Sequence, residues 1–327
     1  MTLWERVAGL PLAVSGYTLD SLTAFDRTTA LVRLAGGDAV GSGEDVGLDP
    51  VVPADLPLAG SWTLGGFCAA LDGLDLWPGE PPEWENARDW RRWAFESAAL
   101  DLALRQAGLS LASALGRDVA PVRFVNSLGL GSPASVDLVV TRVAQYPSVG
   151  FKLDAAPDWS DDVVSELVAL GSVAIVDFKG RYELPVEDEP ALAAMYARVL
   201  AAFPDDVLLE DPHAGYAVPA ERLSLDAPIH GVADIGAVRT INVKPSRIGS
   251  LERLLAVYEW CEAHDVAMYG GGMGELGPAR RQIQLLAAIF HPDGPNDVAP
   301  SGFNAPALAA GLPASPLAVD GAAAGFG

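Results

Sequence analysis

Basic residues are scarce in this chain: 21 Lys and Arg stand against 43 Asp and Glu, a net charge of −22 over 327 residues. Phosphate recognition needs clustered Lys and Arg, so nucleic acid is excluded as a partner. Anionic membrane surfaces are excluded on the same ground. The excess acid reads as a solvated exterior. Cysteine is reduced to Cys68 and Cys261, which make neither a disulfide framework nor a metal-ligand spacing and read as small buried hydrophobes. No apolar run is long enough to span a bilayer. The opening MTLWERVAGLPLAVSG lacks the basic start and long apolar stretch of a secretion signal. A reducing cytoplasm is the expected compartment. No GxGxxG or GxxxxGK[ST] motif is complete; Tyr269-Gly270-Gly271-Gly272 is only a weak phosphate-cradle signal.

What is present is a large apolar fraction, 50% of the residues. The length accommodates a barrel of roughly 200–250 residues plus a smaller domain. Up to about residue 121 the pattern is α+β. Thr28–Leu34 is a strand, Gly36-Gly37-Asp38 a turn and Gly41–Val46 a returning partner. A Pro-rich stretch runs from Pro50 to Pro82. Trp84–Gln106 carries apolar residues at helical spacing, and Leu109–Leu115 continues it past Gly108.

From Val122 strands and helices alternate. The strands are expected at Arg123–Leu128, Ser148–Leu153, Val173–Phe178, Val207–Glu210, Arg222–Asp226, Thr240–Val243, Val266–Tyr269 and Asp297–Ala299. The helices are expected at Pro133–Gln145, Ser160–Leu170, Pro190–Ala202, Ile229–Val238, Ser250–His264 and Pro278–Phe290. Such alternation predicts an α/β barrel. The short gap between Glu210 and Asp226 leaves room for a short helix or none. The Ala-, Gly- and Pro-rich tail, residues 306–327, is expected to wrap back on the barrel or the N-terminal domain, or to stay loose.

Four segments end alike: Val173–Asp177 (VAIVD), Val207–Glu210 (VLLE), Leu223–Asp226 (LSLD) and Ile241–Lys244 (INVK). Each is an aliphatic run closing on a charge. In a parallel α/β protein such runs are buried strands, and a charge cannot stay among them unpaired. The charges must emerge at the carboxyl ends, the rim where barrels do chemistry. Asp177, Glu210 and Asp226 together suit a hard cation such as Mg²⁺, with three unrelated surface acids as the plainer alternative. Lys244 fits a proton donor or acceptor. Residues at i and i+2 of a strand share a face, so Lys152 shares one with Asp154, and Asp177 with Lys179. For Lys152 and Lys179 an internal ion pair and catalysis are equally open. His213 follows the Glu210-Asp211-Pro212 turn within reach of the same rim.

At these residues the chain resembles the enolase superfamily, on the side of the muconate-lactonizing enzymes, o-succinylbenzoate synthases and dipeptide epimerases. WAFESAALDLALRQAGLSLASALG resembles that superfamily's cap helix; VDFKG, LLEDP and LDAPIHGVADI resemble its three metal-acid strands; INVKPSRIGS resembles the strand of its acid/base Lys. GGGMGELG resembles the loop after the seventh strand, with Glu275 near an acidic position. The resemblance implies a (β/α)7β TIM-like barrel (122–305) under an N-terminal α+β capping domain (1–121). It implies a Mg²⁺ ion on Asp177, Glu210 and Asp226, with Asp234 as the alternative third ligand. It further implies removal of a proton α to the carboxylate of a small-molecule substrate. Lys244, Lys152 and Lys179 are the catalytic candidates, with Asp154, Glu275 and His213 beside them.

The chain departs from the superfamily twice. Lys-x-Lys on the second strand reads Lys152-Leu153-Asp154, and Lys179 stands where Asn is usual in the Asp-x-Asn of the third. Dehydration of the o-succinylbenzoate-synthase type, possible on one face, is favoured over racemisation or epimerisation, which want two bases. A cycloisomerase, an acid-sugar dehydratase and a non-catalytic descendant are the alternatives. The cap loops around Val14–Phe25 and Val46–Trp62 are expected over the ligand. Homo-oligomer formation is left open.

Overall fold

The computed structural model describes residues 1–47, 55–78, 81–182 and 189–327. Helix α1 (Leu3–Val7) precedes β1 (Pro11–Val14). An antiparallel meander follows: β2 (Gly16–Ala24), β3 (Arg27–Gly36) and β4 (Ala39–Asp45). The turn at Gly37 takes a left-handed φ of 60°, which glycine adopts without strain. β2, expected as loop, is a nine-residue strand. β5 (Gly60–Thr63) returns to pair with β1, and α2 (Leu64–Leu71) leads to α3 (Ala87–Ala107). α3 lies so close on β4 that a Cβ at Gly43 would fall 1.9 Å from the Ala94 carbonyl oxygen. The long helix ends at Ala107 because Gly108 caps it in the left-handed conformation, and Leu111–Leu115 forms a separate α4. Parts of the Pro50–Pro82 stretch and of the Val46–Trp62 loop lie outside the described residues.

The second unit is one parallel sheet in sequence order: β6 (Val125–Gly129), β7 (Gly150–Asp154), β8 (Val173–Asp177), β9 (Leu208–Glu210), β10 (Leu223–Leu225), β11 (Thr240–Val243) and β12 (Ala267–Gly270). Its helices are α5 (Asp137–Gln145), α6 (Asp161–Leu170), α7 (Glu189–Ala202), α8 (Pro245–Ile248), α9 (Leu251–Ala263) and α10 (Pro278–Phe290). The eighth strand, expected over Asp297–Ala299, shrinks to single bridges: Asn296 to Phe124 on one edge and Asp297 to Gly271 on the other. Those bridges link β6 to β12 and close the cylinder. The helix expected over Ile229–Val238 is only a 3₁₀ turn, Val232–Asp234, because Gly231 and Gly236 break the run; Gly236 sits at φ 58°. No helix joins β9 to β10.

Alternation along the strands splits the side chains. Phe151, Leu153, Val176 and Leu209 join an apolar layer with Leu167, Leu192 and Val199 of the outer helices. Their neighbours turn inward. The tail folds back on both units: Leu317 bridges Val122, and Phe326 packs edge-on against Trp93 at 6.2 Å. No helix among the described residues is long and apolar enough to cross a membrane.

Candidate active site

Five successive strands deliver their inward charges to the carboxyl end of the barrel. Lys152 comes from β7, Asp177 from β8, Glu210 from β9, Asp226 from the end of β10 and Lys244 from the end of β11. The register sets Asp154 beside Asp177 and Asp177 beside Glu210, so the acids of adjacent strands stand level. All but Lys244 are completely buried. Burial of charge is tolerable only with partners, and every carboxylate oxygen has one.

Asp177 Oδ1 accepts the Lys179 amide at 3.0 Å; its Oδ2 accepts Lys179 Nζ at 2.6 Å and faces Lys152 Nζ at 3.1 Å. Glu210 Oε1 accepts from Lys152 Nζ; Oε2 accepts from the Tyr269 hydroxyl and, at 3.4 Å, from Asn242. Asp226 Oδ1 accepts from Arg247 at 2.5 Å; Oδ2 accepts from Lys244 Nζ at 2.7 Å and Tyr182 Oη at 3.1 Å. Lys179 also reaches Asp154 at 3.1 Å, and this pair, 36% and 40% exposed, forms the open side of the cluster. Lys179 holds a left-handed φ of 55°, a conformation costly for a side-chain-bearing residue and frequent at functional sites.

The turn after β10 is pinned from β9. Asp211, itself at φ 46°, accepts the Asp226 and Ala227 amides at 2.9 and 2.8 Å. Gly271 is required next to Lys244: a Cβ there would stand 2.8 Å from Lys244 Cε and 2.6 Å from Asn242 Oδ1.

The electrostatics follow from burial set against the ring of partners. Burial alone would lift Asp177 and Asp226. The cations overcome it, Lys152 and Lys179 for Asp177 and Arg247 and Lys244 for Asp226, and both carboxyls lie below the usual range. Glu210 goes the other way: burial, helped by Asp177 and Asp226, pushes it up to about 8. Burial lowers Lys244, with Arg247 and Lys152 adding to the effect against Asp226. Lys152 is raised well above its ordinary value, since Asp177 and Glu210 outweigh its burial. Five carboxyl groups (Asp154, Asp177, Glu210, Asp211, Asp226) thus stand with four basic groups (Lys152, Lys179, Lys244, Arg247), and burial with the neighbouring Asp226 pushes Asp211 up to about 6. Passing a proton from Lys244 to Glu210 leaves the total unchanged.

The three acids expected to hold Mg²⁺ lie on adjacent strands, but their oxygens are taken by cations and do not fit a metal. Lys152 fills the space between Asp177 and Glu210, and Asp226 is turned to Arg247 and Lys244. Among the described residues no group of three or more Asp, Glu, His or Cys is disposed to hold a metal ion. A divalent ion about 4 Å from an ammonium would meet a repulsion of about 8 kcal/mol at an effective dielectric of about 20.

Of the remaining expected residues, Glu275 is buried outside the cluster. It accepts the Met273 and Gly274 amides at 2.8 and 3.1 Å and the Ser246 hydroxyl at 2.9 Å, which shapes the loop beside Arg247. His213 belongs to an aromatic stack: its amide and Nδ1 meet Tyr196 Oη at 2.8 and 3.0 Å, and burial keeps the imidazole below its ordinary pKa. Asp234 accepts the His230 amide and takes no part in the cluster.

Sequence reasoning missed Arg247, Tyr182, Asn242, Asp211 and the role of Tyr269. One signal was available. The whole chain contains three lysines against eighteen arginines, and all three lysines lie in this cluster. A roomy cavity of about 940 Å³ lies at the opposite end of the barrel, between Gly150, Val173, Thr240 and Ala267 at the strand starts; of these groups only Tyr269 lines it, and none of the lysines does.

Comparison with known proteins places this geometry in context. The family model described as the C-terminal domain of domain of unknown function DUF8230 matches residues 118–305, and the model of its N-terminal domain matches residues 5–114. The chain is 28% identical over 223 residues to an o-succinylbenzoate synthase of Bacillus subtilis (strain 168), covering 63% of this chain and 58% of that protein. It is 28% identical over 226 residues to an N-succinylamino acid racemase of Amycolatopsis sp, covering 64% and 60%. It thus spans less than two thirds of these curated relatives, 58% and 60% of their lengths. Among solved structures, an enolase-superfamily member from Listeria innocua superposes with TM-score 0.59 at 19% identity, over 89% of this chain and 84% of that one. A 2-chloromuconate cycloisomerase from Rhodococcus opacus 1CP gives 0.64 at 20%, over 88% and 86%.

Proposed function

Because the chain belongs to the DUF8230 family and has the capped barrel of the enolase superfamily, in its muconate-lactonizing and o-succinylbenzoate-synthase-like subgroup, we propose that it is a lyase or isomerase acting on a small carboxylate. Dehydration of the kind named for its o-succinylbenzoate synthase relatives is the favoured reaction. One observation supports this reading: every lysine of the chain is ion-paired with a carboxylate of the barrel strands, Lys152 and Lys179 with Asp177 and Lys244 with Asp226.

In this reading the substrate carboxylate enters beside Lys179, the most exposed cation of the cluster. Lys244, three strands further round, takes the α-proton. It then returns that proton to the departing hydroxide, so a C=C bond forms and water leaves. Charge developing on the carboxylate oxygens is met by fixed cations, which need no reorganisation as the reaction proceeds. Asp154 at the second-strand position leaves only Lys244 in place as a base on that model, which disfavours racemisation. Mg²⁺, implied by the resemblance and held on it by Asp177, Glu210 and Asp226, would polarise the carboxylate; here Lys152 stands between Asp177 and Glu210, and Asp226 is turned to Lys244 and Arg247.

The pairing of every oxygen of Asp177, Glu210 and Asp226 favours one second reading, a descendant that binds a carboxylate and turns nothing over. Incubation of a panel of small carboxylates with the protein in D₂O separates the two. The enzyme incorporates deuterium at the α-carbon of at least one member, and Lys244→Ala loses it. Absence of exchange across the panel, or exchange that survives in Lys244→Ala, refutes the assignment.

A further inference from the structure

We propose that the ε-ammonium of Lys152 is the resident cation of this acid cluster, occupying the seat that a divalent metal would take between Asp177 and Glu210. The placement argues it. Among the described residues Lys152 Nζ is the one group touching both carboxyl groups, at 3.1 Å from Asp177 Oδ2 and in direct contact with Glu210 Oε1. The side chain is 0% exposed, like both of its partners. Its backbone is fixed in the middle of β7, paired to Ser127 on one side and Ile175 on the other, while Phe151 and Leu153 anchor the strand in the apolar layer outside.

The rest of the cluster agrees. Asp226 spends both oxygens on Arg247, Lys244 and Tyr182. Lys179 pairs with both Asp154 and Asp177. Asp211, the remaining buried acid, spends its two oxygens on the Asp226 and Ala227 amides, so Asp177 and Glu210 keep Lys152 as the cation they share. A compact ammonium with three donors suits two carboxylates that converge from adjacent strands. This inference concerns the cation alone and stands whether or not the site turns over a substrate.

Calorimetric titration with MgCl₂ and MnCl₂ tests it on the full-length protein and on Lys152→Ala. The wild type takes up neither ion saturably. The variant, with the seat emptied and two carboxylates released, gains a saturable site and a metal-dependent rise in melting temperature. Saturable single-site binding by the wild type overturns the proposal, and so does a folded variant that gains no site. Should Lys152→Ala not fold, the wild type labelled with ¹⁵N-lysine decides, since only three Nζ signals exist. A Lys152 signal unmoved by millimolar Mg²⁺ supports the ammonium as occupant; one that shifts or vanishes refutes it.

Discussion

Removal of the Glu44 carboxylate should undo the seam between cap and barrel. Helix α10 begins at Gly277-Pro278, a start with no side-chain cap of its own. Glu44, on cap strand β4, supplies the missing acceptor from the other unit. Its carboxylate takes the amides of Leu276 at 2.6 Å, Gly277 at 2.9 Å and Ala279 at 3.3 Å, and the Thr29 hydroxyl at 2.8 Å. An ordinary N-cap deletion costs about 1 kcal/mol. Here Glu44→Ala leaves three amides and a hydroxyl without their acceptor in a dry seam, each worth about 1–3 kcal/mol before water recovers a share. The expected loss is about 3–5 kcal/mol, read by urea unfolding. Amide hydrogen exchange at Leu276, Gly277 and Ala279 should speed up with it. Glu44→Gln is the control. Its amide oxygen still accepts two of the four donors while its NH2 faces the other two, so glutamine should recover part of the alanine loss. An alanine variant within about 1 kcal/mol of wild type refutes the seam argument. A glutamine variant as costly as alanine refutes the hydrogen-bonding part.

Three further outcomes are expected. Glu210 keeps its proton to about pH 8 in the folded chain while an unfolded glutamate loses it near 4.5; the native state then binds more protons, stability falls as pH rises through that window, and Glu210→Gln should flatten the fall in a melting-temperature series. Asp177 and Asp226 act in the opposite sense: their contribution is present above the ordinary carboxylate pKa of 3.8 and disappears as pH drops below it, so Asp226→Asn should weaken the acid-side loss. Gly271→Ala and Gly43→Ala separate site from scaffold: the first drives a methyl against the Lys244 stem and should abolish α-proton exchange for about 1–3 kcal/mol of stability, while the second meets the Ala94 backbone at 1.9 Å, which cannot yield, and should cost at least as much without moving any lysine signal.

The barrel was legible because its strands obey one rule, an aliphatic run closing on a charge. VAIVD and INVK show it, and their strands end within a residue of expectation. Legibility failed where glycine or a neighbouring chain overrides a local pattern. Ile229–Val238 has helical content, but Gly231 and Gly236 interrupt it. β2 carries no strong alternation of its own and owes its strand to pairing with β3 along its whole length. The site was half visible. Acids and lysines at strand ends could be read from spacing. Arg247 and Tyr182 could not, since a short helix and a loop carry them to Asp226 from positions without periodicity.

The chemistry of the cluster explains why lysine survives only here. Elsewhere the chain meets its acids with arginine: Arg91 to Asp45, Arg105 to Asp101, Arg117 to Glu262. Arginine keeps its charge under nearly any burial and reaches with a broad fork. Between Asp177 and Glu210 there is room for a compact ammonium, and at Lys244 burial acts on a group that can give up its proton, which a guanidinium does not. Arg247 then serves the fixed role on Asp226 and lets Lys244 change state without leaving that carboxylate unpaired. Lys152→Arg should accordingly be worse tolerated than its conserved charge suggests, for the wider group cannot sit between two carboxylates so close together. Its cost relative to Arg247→Lys, compared by urea unfolding, distinguishes a seat defined by size from one defined by charge alone; equal losses in the two variants would leave charge as the sole determinant and refute the size argument.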